Sequence, residues 1–164
     1  AEDRWTLCDM DGSARVGSAV GAKSSSAYMP PELARLKYTA SGGVDALISS
    51  AQTSFDIWSF GVVLFELSAG RTLFSQDMNN DSLVEVVDRT RLCVWQTISA
   101  EELEPVFASS SLSQQQADDA QNLIRWCLKG QPSQRPISGG QEMPSGSATV
   151  GGLLTSTNLR PAPQ

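Results

Sequence analysis

Asp56-Ile57-Trp58-Ser59-Phe60-Gly61-Val62-Val63-Leu64-Phe65-Glu66-Leu67-Ser68-Ala69-Gly70 carries the strongest secondary-structure signal in the chain. Fifteen positions from Phe55 to Ala69 contain no proline and one glycine, so a helix is predicted there. Ser54 is the candidate N-cap, and Gly70 stands where a helix end favours a residue free of Cβ strain. The apolar side chains of Phe55, Ile57, Trp58, Phe60, Val62, Val63, Leu64, Phe65 and Leu67 run nearly all the way round this helix. A helix of that kind is expected to be buried on most sides. It becomes the post of the domain, and a domain packed around a helical post is mainly α.

Working outward, Ser113 and Gln116 form a capping box for a second well-marked helix. Ala117, Ala120, Leu123, Ile124 and Cys127 supply its apolar face, and Gly130 is expected to end it. Between these two, Ser82 to Thr90 is predicted helical, with Leu83, Val86 and Val87 on a shared face and Leu92 to Trp95 packing nearby. On the amino-terminal side Pro30 and Pro31 open a short helix near residues 31–37, since proline is tolerated in a first helical turn. Tyr38 to Thr53, rich in Ser, Gly and Ala around Val44, Leu47 and Ile48, reads as an inserted loop. Trp5 to Cys8 has the residue types of a short β segment, and Ser13 to Ser26 reads as a mobile loop. After Ile137 the composition falls to Gly, Ser, Thr and Pro, so Ser138 to Gln164 is expected to form a disordered, low-complexity tail.

The composition excludes several functions. The 164 residues have room for one domain, and an apolar fraction of 40% suffices for a modest core. With no histidine, Ser-His and Cys-His hydrolase sites and His-ligated metals are ruled out. A net charge of −6 with 12 scattered basic residues disfavours nucleic-acid binding. Cys8, Cys93 and Cys127 have no CxxC spacing, which argues against zinc or a disulfide framework and for a reducing, intracellular, cytoplasmic setting. The apolar run from Phe60 to Phe65 is too short to span a bilayer, for which ~20 residues are needed. No signal peptide is visible, and the absent initiating Met suggests a piece of a longer protein, membrane-anchored or multidomain.

Four groups of residues could carry chemistry. Asp9, in Asp9-Met10-Asp11-Gly12, is a carboxylate at the end of a short predicted strand, a setting that suits an Mg²⁺ ligand or simply a solvated acidic turn. Ser24-Ser25-Ser26-Ala27-Tyr28-Met29-Pro30-Pro31-Glu32 joins a hydroxyl-rich loop to a helix start. Asp56 sits in the first turn of the post helix, where the macrodipole favours a carboxylate. Arg135 lies in a Pro-bounded turn, with Pro132 and Pro136 beside it.

Taken in order, these groups resemble the back half of a protein kinase domain. Asp9-Met10-Asp11 is similar to the family's Asp-Phe-Gly, with Met10 for Phe and Asp11 for Gly. Ser24 to Glu32 resembles Gly-Thr-x-x-Tyr-x-Ala-Pro-Glu, matched at Tyr28, Pro31 and Glu32. Ser25 stands at the threonine, while Ser24 and Pro30 depart from the pattern. Asp56, Trp58, Ser59, Gly61, Val62, Leu64, Glu66 and Leu67 resemble the central-helix motif at almost every marked position. Cys127-Leu128, Pro132 and Arg135-Pro136 resemble the closing motif.

The resemblance implies a mainly α C-terminal lobe of the kinase-like fold over residues 1–137, with residues 138–164 as the tail. It implies Asp9 as the metal and cofactor ligand, Ser25 and Tyr28 in the substrate-side loop, and Asp56 bracing the catalytic loop. Glu32 and Arg135 become a partly buried structural ion pair. In the intact protein the implied reaction is phosphoryl transfer from Mg-ATP to Ser or Thr of a protein or peptide substrate, the serine/threonine class following from Ser25. In this register the Gly-rich loop, the ATP-anchoring lysine and the catalytic-loop aspartate all precede Asp9. The 164 residues alone are therefore expected to be inactive, with the N-terminal lobe of the same protein as a partner and no ATP or Mg²⁺ bound. Asp11 in place of glycine supports an alternative, a pseudokinase or scaffold module. Ser24, Ser25 and Ser26 are the candidate phosphosites.

Overall fold

The computed structural model describes residues 8–20, 25–39, 50–77, 79–106 and 113–136. The expected β segment at Trp5 to Cys8 (apart from Cys8), Ser24, the apolar patch of the inserted loop and the tail from Ser138 lie outside the described residues. The described chain is mainly helical: α1 (Pro31–Thr39), α2 (Thr53–Ala69), the hairpin β1 (Gln76–Asp77) and β2 (Ser82–Leu83), α3 (Val86–Cys93), α4 (Ala100–Leu103) and α5 (Gln114–Cys127). Short 3-10 turns stand at Met10–Gly12, Ser26–Tyr28 and Pro132–Gln134.

α2 is the post, and α5 is laid against it. Trp58, Gly61, Val62 and Phe65 recur at helical spacing and are buried together. Gly61 is what lets the helices touch, because a Cβ there would stand 2.7 Å from Cys127 Cβ and 3.0 Å from the Leu128 side chain. The α5 face is the expected one, Ala120, Leu123, Ile124 and Cys127, and the Ser113 and Gln116 capping box is present. Around the foot of α2, Trp95 meets Trp58 edge-on at 5.6 Å and Phe74 at 5.5 Å, while its indole N–H donates to the Leu128 carbonyl at 2.8 Å. Arg91 lies over the Phe74 and Trp95 rings and pairs with Glu102, whose own helix α4 is closed by a capping box with Ser99.

Several expectations need correction. α2 begins at Thr53 with Gln52 at its N-cap, so Ser54 lies inside the first turn and makes no cap. Nor is α2 buried on most sides: Phe60, Val63 and Leu67 are 49%, 41% and 80% exposed and form a stripe opposite the core. The helix expected over Ser82 to Thr90 is a strand followed by a helix that starts four residues later. Asx turns explain the break. Asp77 accepts from the Asn79 amide and Asn80 from the Ser82 amide, and Asp81 adopts φ 52. Leu83 is consequently buried in the hairpin, whereas Val86 and Val87 are exposed.

α1 continues to Thr39, so Tyr38 and Thr39 belong to it and not to the inserted loop. α5 ends at Cys127, before Gly130. Gly130 serves a close approach instead, since a Cβ there would meet the Trp95 carbonyl oxygen at 2.3 Å. The loop after Asp11 is tied down at its far end. The Gly17 amide donates to the Ala51 carbonyl and the Ala51 amide to the Ser18 carbonyl, each at 2.8 Å.

Candidate functional site

Four segments converge on one open cleft of about 1020 Å³. Asp9 to Ala14 form one wall, Ser25 with Tyr28 to Pro30 a second, Gln52, Thr53, Phe55, Asp56 and Ser59 the floor, and Asn80 the rim. Asp9, Ser25, Tyr28 and Asp56, distant in sequence, are thus brought to a single surface. Met10, Val16, Met29, Leu33 and Phe55 give it apolar lining, so a ligand would meet carboxylates set in a greasy groove.

Asp9 is exposed and left-handed, φ 58 and ψ 62, at the start of the Met10–Gly12 turn. Aspartate tolerates this region better than most residues, and the conformation turns the chain sharply at the carboxylate. Asp11 lies within the turn, so it does not carry the positive φ that would have wanted a glycine. Asp56 is exposed in the first turn of α2. Ser25 is exposed ahead of the Ser26–Tyr28 turn.

Ser26 differs sharply from Ser25. It is 4% exposed, and its Oγ accepts from the Leu83 amide at 2.8 Å. Of the two described serines, Ser25 is thus the one whose hydroxyl is open to solvent.

Tyr28 is fixed at both ends. Its hydroxyl donates to Glu66 Oε2 at 3.1 Å, and its carbonyl accepts from Ser59 Oγ at 2.9 Å, a hydroxyl that also reaches the Phe55 carbonyl. Burial raises the Glu66 pKa, partly offset by the hydrogen bonds from Tyr28 and the Leu73 backbone. Burial likewise raises that of Tyr28, with the Glu66 charge acting in the same direction and a hydrogen bond with Gln76 against it. Glu66 and Ser59 were not singled out as site residues. The signal for both was inside the α2 motif, where they are marked positions.

Below the cleft, Arg135 is wholly buried and uses its guanidinium as a fork. Nη1 and Nη2 donate to the two Glu32 oxygens, each at 2.7 Å, Nη1 donates also to the Ser54 carbonyl at 2.9 Å, and Nε donates to the Lys129 carbonyl at 2.8 Å. The guanidinium carbon lies 5.1 Å from the Trp58 ring centroid. One side chain therefore joins the start of α1, the start of α2 and the segment after α5. That junction holds the Tyr28 to Glu32 segment against the Asp56 turn.

A protein-family model described as "protein kinase domain" matches residues 3–141, most of the chain. The chain belongs to the protein kinase domain family. Comparison with curated proteins and with solved structures returned no significant match. The kinase family acts on protein substrates and generally uses ATP and Mg²⁺. Asp9 fits a magnesium ligand, because Mg²⁺ is commonly held by one or two carboxylates with phosphate and water completing the shell. Among the described residues no three acidic or thiol groups cluster as a metal site. Among the described residues no helix is long and apolar enough to cross a membrane.

Proposed function

We propose that this chain is the C-terminal lobe of a serine/threonine protein kinase, residues 1–137 forming that part of the domain and residues 138–164 a low-complexity tail. The observation that carries the reading is the convergence of Asp9, Ser25, Tyr28 and Asp56 on one cleft beside the Glu32 and Arg135 pair. In the intact protein Asp9 holds the Mg²⁺ of Mg-ATP, which neutralises charge on the transferring phosphoryl group. Ser25 lies beside the acceptor hydroxyl, Tyr28 orients the peptide-facing backbone, and Asp56 braces the catalytic loop. The N-terminal lobe and catalytic loop supply the lysine, the phosphate-covering loop and the base. That part of the protein covers the exposed Phe60, Val63 and Leu67 stripe, which continues along α2 from the cleft floor.

Each group that positions phosphoryl transfer contributes a separate large factor, so the 164 residues alone give no turnover. Transfer of phosphate from Mg-ATP to a serine peptide should be measured with the intact protein and its Asp9→Ala form. Turnover that disappears in the variant is the expected result. Turnover that survives it would remove Asp9 from the metal site. Asp11 in place of the family's glycine favours a second reading, a scaffold that binds partners without catalysis. An intact protein that binds partners but transfers no phosphate at all would establish it.

A further inference from the structure

Among the described residues β1 and β2 form a two-stranded sheet, and β2 has an outer edge with no strand beside it. Along that edge the residues facing away from β1 are Asp81, through its carbonyl, and Leu83, through its amide. Both are satisfied by the substrate-side turn. The Ala27 amide donates to the Asp81 carbonyl at 3.0 Å, and the Leu83 amide donates to Ser26 Oγ at 2.8 Å. The Ser26 hydroxyl thus occupies the place of the carbonyl a neighbouring strand would offer, and it does so in a buried setting, beside a Leu83 that is itself buried. The Leu83 carbonyl, on the same edge, accepts from Arg89 Nε and Nη2, while toward β1 the Val84 amide donates to the Ser75 carbonyl.

We infer that Ser26 is a latch that makes the hairpin and the Ser26–Tyr28 turn one mechanical unit. The consequence for function rests on the kinase reading: Asn80, at the hairpin tip, and Ser25, one residue before the latch, both line the cleft, so the latch sets the spacing of two walls between which a peptide would lie. The hydroxyl matters for its oxygen. A side chain of similar size without a good acceptor leaves the Leu83 amide buried and unpaired, which favours local opening of the hairpin from the turn.

Native-state amide exchange on the 164-residue chain tests the latch without depending on any enzymatic activity, so its failure and a failure of the kinase reading are separate results. Ser26→Ala removes the hydroxyl, and Ser26→Cys fills the site with a slightly larger group while replacing oxygen by a weak acceptor. Both variants are expected to speed exchange at the Leu83 and Ala27 amides about tenfold or more, while the α5 amides of Leu123 and Ile124 keep their wild-type rates. The inference is overturned if Ser26→Cys protects Leu83 as well as serine does. It is overturned equally if exchange at Leu83 rises by less than about threefold relative to α5, because the effect is then general loosening and not release of a latch.

Discussion

The two faces of α2 differ in who covers them. The face carrying Trp58, Gly61, Val62 and Phe65 is closed within this chain, by α5, by Trp95 and by the Arg135 fork. The face carrying Phe60, Val63 and Leu67 is exposed. Both are equally apolar in sequence, so hydrophobicity tells which surfaces want burial but not what buries them. Substitutions on the two faces should therefore behave as if they came from different proteins.

The largest contrast is expected at Arg135. Arg135→Ala strands the Glu32 carboxylate and three carbonyl and ring contacts, and should cost ~3–5 kcal/mol in urea unfolding. Arg135→Lys should recover only part of this, since an ammonium cannot make the fork. On the exposed face, Leu67→Gln should change stability by no more than about 0.5 kcal/mol. A large loss there would erase the distinction between the faces.

Gly61→Ala sharpens the comparison from the packing side. The added methyl must displace α5 by way of Cys127, so a loss of about 1–3 kcal/mol is expected, against a slight gain for an unobstructed helical glycine.

A smaller effect concerns pH. Burial raises the folded-state pKa of Glu66, so the neutral form suits the folded chain better than the ionised one. The stabilisation is full below the ordinary glutamate range and is lost as pH rises through the raised folded value. Glu66→Gln should flatten that part of the stability profile, measured as urea midpoints across mildly acidic to neutral pH. An unchanged profile would mean the carboxylate is solvated.

The mildest probe is thiol labelling. Cys8 is exposed and should react with an alkylating reagent at once. Cys127, buried against Gly61 with its pKa pushed up to about 12, should react only on unfolding.

What could be read from the sequence was what is local or what repeats a motif. α2 with its Gly70 end, and α5 with its capping box, follow from spacing and end residues, although the first turn of α2 does not. That Glu32 meets Arg135, 103 positions away, came only through the family resemblance. The hairpin was missed because two-residue strands carry no alternation to detect, although Asn79, Asn80 and Asp81 were available as turn signals. The roles of Ser26 and Glu66 were invisible because their partners lie 57 and 38 positions away and one of them is a backbone amide. The exposed face of α2 was misjudged because nothing in one sequence separates an apolar residue that the chain buries from one that it leaves exposed.

The Glu32 and Arg135 junction holds the cleft segments to the foot of α2. A double-mutant cycle in urea, with Glu32→Ala, Arg135→Ala and both together, measures it directly. The expected result is a double variant little less stable than the Arg135 variant alone, with a coupling of at least about 2 kcal/mol. Additive losses would show that the two side chains act independently, and the junction would then not be what organises this domain.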